Sequence, residues 1–163
     1  MLQEKLHDRD NEEEIARLML PILKAEETKR IPDLKFGIDR CFLKQETGGF
    51  SMGRKLVVCY AEIKDRSGRN GNRGLEWEFR EGYYISVSKM MGAKLLYAGS
   101  YKPVWLIVRF IGGKIAMVRL DDYRAEHGLE TIWAGRQDRG LSTDIEPELV
   151  IPWQDFGLQY STS

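Results

Sequence analysis

The sequence predicts a single α/β domain with a mixed central β-sheet flanked by helices, and three observations predict it. The chain has 163 residues, 42% hydrophobic and 31% charged, which is enough for one core and ordinary for a soluble globular protein. Two segments carry apolar residues at helical spacing, and two pairs of β-rich segments flank glycine turns. The order is helix, hairpin, polar loop, helix, hairpin and irregular tail, an alternation that belongs to α/β architecture.

The first helix is capped by Asp10 or Asn11, with Glu13 or Glu14 three residues on as a capping box. The run Glu12-Glu13-Glu14 then lies in the first turn, where carboxylates favour the helix dipole. Ile15, Leu18, Met19, Ile22 and Leu23 follow at helical spacing, and Pro21 kinks the helix or ends it early. Phe36 to Lys44 and Lys55 to Lys64 are extended, joined by the glycine-rich turn Glu46 to Gly53, and read as a hairpin. Asp65 to Arg80 is a polar loop holding Arg66, Arg69, Arg73 and Arg80. Ser86 caps a second helix that runs through Tyr97 and stops at Gly99, with Val87, Met90, Met91, Leu95 and Ala98 as its core stripe. Pro103 to Ile111 is a buried strand interrupted by Arg109, and Gly112-Gly113 turns it into Lys114 to Leu120. Residues 1–163 read as one domain, with a core over 11–120. Residues 121–163 form a loop-rich extension with one short strand near Leu149 to Pro152.

Composition narrows the function. Lys plus Arg equals Asp plus Glu, 25 against 25, so contact with nucleic acid must come from a local patch. Cys41 and Cys59 are too few for a disulfide framework and read as buried thiols of a reducing cytoplasm. His7 and His127 stand apart from the cysteines, which argues against structural zinc and against a Ser–His–Asp triad. No run approaches the ~18 apolar residues of a membrane helix. The start, Met1-Leu2-Gln3-Glu4-Lys5, has no signal-peptide pattern. A cytoplasmic protein without a membrane partner is expected.

Register points to a site. The midpoint between Asp39 and Glu62 falls between Phe50 and Ser51, inside the glycine-rich turn. A hairpin folded there sets Asp39 opposite Glu62, with Cβ atoms about 5 Å apart on one face. Lys64 projects from that face too. Two carboxylates at that spacing repel unless a cation lies between them, and hard oxygen ligands with waters suit Mg²⁺. The same register pairs Cys41 with Tyr60 and leaves the cysteines unbonded on opposite faces. It sends Ile38, Phe42, Cys59 and Ile63 to the core face, where Arg40 and Ala61 fit less well, so a slip of one residue is open.

A divalent ion with a lysine beside it is equipment for phosphodiester hydrolysis. The plainer reading, an exposed strand ladder, sits badly with Leu56, Val58 and Tyr60, which precede Glu62 on its face and make a lone charge costly. Arg66, Arg69 and Arg73 suit phosphate, or form a solvated loop. Lys89, in the first turn of the second helix, either reaches the site or a phosphate or stays at the surface. Trp77, beside Leu75 and Phe79, reads as packing rather than base stacking. Asp144 and Glu146 read as a surface or inter-subunit polar pair.

Asp39, followed by Ala61-Glu62-Ile63-Lys64-Asp65-Arg66 at the end of a hydrophobic strand, resembles the PD-(D/E)XK nuclease superfamily. The resemblance covers residues 14–120, with a polar helix start at Ser86, Ser88 and Lys89 and the hairpin after it. It is nearest to small phage-encoded or Holliday-junction-resolvase-like members. It implies a restriction-endonuclease-like fold with Asp39 and Glu62 as metal ligands, the Ile63 backbone carbonyl as a further ligand and Lys64 as the catalytic lysine. It also implies a first-helix glutamate, for which Glu14 is the closest match and Glu13 nearly as good. The family's proline before the first acid is absent, since Ile38 precedes Asp39. Pro32-Asp33 supplies that dipeptide earlier, but only with an off-centre hairpin, so Asp39 is preferred.

The implied function is a Mg²⁺-dependent endonuclease, with Mn²⁺ substituting, that cuts DNA and acts on branched or junction substrates. Arg66, Arg69, Arg73 and Lys89 would contact the DNA. Two strands need two sites, so a homodimer is expected. The alternative is an inactive DNA-binding or phage assembly protein on the same fold, and an RNA-directed nuclease also stays open, because the metal site does not choose the sugar.

Overall fold

Strand β3, Lys55–Arg66, is the spine of the molecule, and its sequence Lys-Leu-Val-Val-Cys-Tyr-Ala-Glu-Ile-Lys-Asp-Arg is rich in β-formers. The computed structural model describes residues 2–31, 37–48, 53–69, 74–79, 82–123, 131–135 and 145–160. In chain order the remaining elements are α1 (Leu2–Met19), β1 (Glu27–Arg30), β2 (Arg40–Gln45), β4 (Tyr83–Ser86), α2 (Val87–Ser100), β5 (Val104–Phe110), β6 (Ile115–Arg119), β7 (Thr131–Gly135), β8 (Ile145–Ile151) and β9 (Gly157–Tyr160). A six-stranded mixed sheet has the order β1-β2-β3-β5-β6-β9, and a second sheet has the order β4-β8-β7. No helix among the described residues is long and apolar enough to cross a membrane.

Helix α1 ends two residues before Pro21, as that proline demands. Leu23 and Ala25 then close the end through N–H bonds to the carbonyls of Met19 and Leu20, at 2.9 and 3.0 Å. Its start differs from expectation. Asp10 and Asn11 lie inside the helix rather than capping it, because Leu, Gln, Glu and Lys before them are good helix formers.

The β2–β3 register follows the expected centre for three pairs: Arg40 with Ala61, Cys41 with Tyr60 and Phe42 with Cys59. A bulge between Phe42 and Leu43 then slips it by one residue, so Leu43 faces Val57. Arg54 forks onto Glu46 at 2.7 and 2.8 Å across the hairpin. Both cysteines are buried and unbonded. Strand β3 pairs with β5 in parallel, and β5 turns into antiparallel β6. Gly112 and Gly113 take φ of 81° and 82° in that turn, a region that side chains with a Cβ disfavour.

Each face of the large sheet has its own core. Ile15, Ala16 and Met19 of α1 pack on Phe42, Cys59, Ala61, Ile63 and Ile107. On the other face, Met90 and Ala93 of α2 pack with Leu106, Val108 and Phe110, beside Ile85 and Ile151 of the second sheet. Ile38 belongs to this second core rather than with Phe42, since it precedes β2 and strand alternation does not govern it. Ser86 caps α2, its Oγ accepting from the Lys89 N–H, but the helix passes Gly99 and ends in a left-handed Tyr101. Of the expected stripe only Met90 is buried, and Met91 and Leu95 are 58% and 56% exposed. Trp77 packs edge-on to Phe110 and Trp153.

The tail departs most from expectation. In place of one short strand it supplies β7, β8 and β9: β8 joins β4 and β7, and β9 extends the large sheet past β6. Strand β1 was also unforeseen, because Glu-Thr-Lys-Arg has no apolar face and its pairing with β2 creates it.

Candidate active site

The site arises because two paired strands differ in length. The described β2–β3 pairing begins at Arg40 with Ala61, whereas β3 continues to Arg66 with its ladder to β5 unbroken. Asp39 is the next residue back from Arg40, just beyond the end of that pairing. Its carbonyl accepts from the Ile31 N–H, which extends the β1–β2 ladder to this point. Its Oδ2 accepts from Arg30 at 3.2 Å.

Glu62 is 1% exposed. Its Oε1 receives Lys64 Nζ at 3.0 Å and also Lys89 Nζ. Its Oε2 is buried with no hydrogen-bond partner. A buried carboxylate oxygen in that state is costly, and a cation is its natural complement. Lys89 Nζ donates a second bond, to the Gly37 carbonyl at 3.3 Å. Burial works against the charge of Lys64, but Glu62 outweighs it, helped by Tyr83 and Glu12, so its pKa is raised and the ammonium persists. Burial also raises the pKa of the Tyr83 hydroxyl, against the pull of Arg66 and Lys64 beside it. Tyr83 thus closes this group from β4.

Helix α1 contributes an acid that the sequence reading passed over. Glu12 is half-buried. Burial pushes its pKa up and Lys64 pulls it down, while Asp39 and Glu62 push it up again. Glu12 therefore lies within electrostatic reach of Lys64, Asp39, Arg30 and Glu62. The signal was available: Glu12 lies three, four and seven residues before Ile15, Ala16 and Met19, on the face that α1 turns to the sheet.

Glu14, expected nearest a metal, is engaged elsewhere. Arg109 reaches its Oε2 at 2.9 Å and Arg69 at 3.2 Å. The bond from Arg109 holds its pKa below the usual carboxylate range. The reason is angular, since two residues past Glu12 the helix has turned by more than half a circle. Glu13 is likewise taken, by buried Arg40 at 2.8 Å.

The other expected residues are placed as follows. Ile63 sends its side chain into the α1 core, with its backbone in the β3–β5 ladder. Arg66 ends β3 beside Tyr83, and Arg69 is 54% exposed while holding Glu14. Lys89 is in the group. Arg73, Arg80, Asp33, His127 and Asp144 lie outside the described residues. Glu146 is in β8, where it helps burial raise the pKa of Glu148.

Among the described residues no three of His, Cys, Asp and Glu form a ready metal cluster. What the group offers is a carboxylate at Glu62 with an unpartnered buried oxygen, with Asp39 and Glu12 as further acids in the same electrostatic neighbourhood. That donor chemistry fits a hard divalent ion that keeps waters of its own.

Comparison with known proteins agrees with this architecture. A family model described as phage putative PDDEXK endonuclease matches residues 3–158. No curated protein and no solved structure matches the chain. The mixed sheet between two helices, with an acid just ahead of β2 and an E-x-K on β3, is the restriction-endonuclease-like fold that such a family carries. Matched over nearly its whole length, the chain belongs to the phage putative PDDEXK endonuclease family.

Proposed function

We propose that this protein is a metal-dependent endonuclease that hydrolyses DNA phosphodiesters. Asp39 and Glu62, with the Ile63 carbonyl, hold Mg²⁺ or Mn²⁺, and Lys64 is the catalytic lysine. The observation that carries this reading is the buried, partnerless Oε2 of Glu62. When bound, such an ion lowers the pKa of a water and neutralises charge on a phosphoryl oxygen.

The chain's own residues supply the rest. Lys64, whose pKa Glu62 raises in the metal-free site, would hold a water or steady charge on the phosphoryl group. Asp39, fixed by its backbone bond from Ile31, would supply the second carboxylate. Glu12, rather than Glu14, is the first-helix acid of this site. Arg66, Arg69, Arg73 and Lys89 grip phosphates. Among the described residues the chain carries one such site, so cutting both strands of a branched or junction DNA calls for a homodimer.

The test is cleavage of supercoiled and branched DNA with Mg²⁺, Mn²⁺ or EDTA, comparing wild type with Glu62→Ala. Cleavage that needs both the metal and Glu62 is expected. Metal-indifferent DNA binding without cleavage would instead mark a binding or phage assembly protein on the same fold.

A further inference from the structure

We infer that Lys89 is the resident counter-cation of Glu62, and that it gives up the carboxylate when a divalent ion enters and turns to the substrate phosphate. This rests on the proposed metal site and adds to it an exchange of charge.

Around Glu62 stand two further acids, Asp39 and Glu12, with the cations Lys64, Lys89 and Arg30, and with Arg66 beside Tyr83. The acids of the group therefore already have at least as many cations as they need. Two ammoniums crowd Oε1 of Glu62 while Oε2 has none. A divalent ion adds two charges, and one resident cation becomes surplus. Lys64 is tied two residues from Glu62 on the same strand and cannot go far. Lys89 comes from another element on a long flexible stem, and its side chain is 33% exposed. Its Nζ also donates to the carbonyl of Gly37, two residues before Asp39. Its ammonium thus bridges the segment leading to one acid and the carboxylate of the other, where a shared ion would compete with it. Once released it still lies in the first turn of α2, beside Ser86 and Ser88, at the helix end that favours anions.

The experiment is calorimetric titration of Mn²⁺ into the wild type, Lys89→Met, Lys89→Arg and Glu62→Gln, with DNA binding followed in Ca²⁺. Lys89→Met should bind Mn²⁺ about fivefold more tightly, the scale of a partly exposed ion pair, and should bind DNA more weakly. Lys89→Arg, which keeps the charge, should bind the ion no more tightly than wild type. A second readout needs no variant: reductive ¹³C-methylation of the wild type should modify Lys89 faster once Ca²⁺ is added. Mn²⁺ binding that depends on Glu62 but is unchanged or weakened in Lys89→Met overturns the inference and leaves the metal site standing. Unchanged Lys89 reactivity on addition of saturating Ca²⁺ overturns it equally. Absence of any Glu62-dependent Mn²⁺ binding in the wild type overturns both.

Discussion

Arg109 of β5 forks onto Asp65 of β3, Nε to Oδ1 and Nη2 to Oδ2, both at 3.1 Å. The two side chains are 2% and 4% exposed. A guanidinium in the middle of an apolar strand is tolerable only because this fork, and Glu14 above it, satisfy it. Removing one partner of a buried pair leaves an uncompensated charge, at roughly 3–5 kcal/mol. Urea unfolding of Asp65→Leu should show a loss on that scale. Adding Arg109→Met should recover most of it, and a double mutant no better than the single would refute the pairing.

The same pair sets an acid limit. Burial opposes ionisation of Asp65, but bonds from Arg109 and Ser67 prevail and its pKa is depressed. A depressed carboxylate stabilises the fold above its unfolded pKa, near 4, and loses that contribution as pH falls through the folded value. Melting temperature should therefore hold above about pH 4 and fall below it. In Asp65→Asn the fall should be shallower from a lower start.

Lys64 makes the opposite kind of prediction. Its pKa is raised, so it stays charged through neutral and mildly alkaline pH. A pH–rate profile should show no limb attributable to deprotonation of Lys64 below about pH 10, near the ordinary lysine value. Lys64→Met should lower turnover by about 10²–10³, the usual loss when one stabilising donor is removed, with DNA affinity nearly unchanged. A rate that rises with pH in wild type and goes flat in Lys64→Met would make it a base instead.

The two α1 glutamates can be separated. Glu12→Gln should weaken Mn²⁺ binding by about tenfold, as supporting acids around metal ligands do. Glu14→Gln should leave metal affinity alone and lower thermal stability through Arg109. Calorimetry and melting curves on both variants decide the assignment, and the reverse pattern would restore Glu14.

Much of the first hairpin was legible because two local facts, a glycine turn and alternating apolar residues, fix its centre. They place Cys41 against Tyr60 as observed. The bulge after Phe42 was not legible, since it depends on how β2 meets its neighbours. Reading Glu12 to Glu14 as a first turn hid the periodicity that sets Glu12 toward the sheet, because α1 in fact begins at Leu2. Met91 and Leu95 misled because α2 is apolar on two sides and spacing alone cannot choose between them. The Asp65–Arg109 fork joins parallel strands through a crossover, and no local pattern sets that register. Strands β1, β7 and β9 are short, and their partners rather than their own residues make them strands.

The β2–β3 ladder stops at Arg40 and Ala61, one residue short of Glu62. Extending that ladder backward by two residues would tie the backbone of Asp39 to the strand that carries Glu62. Main-chain pairing alone, with every charged side chain left in place, can therefore set how freely the two acids approach each other.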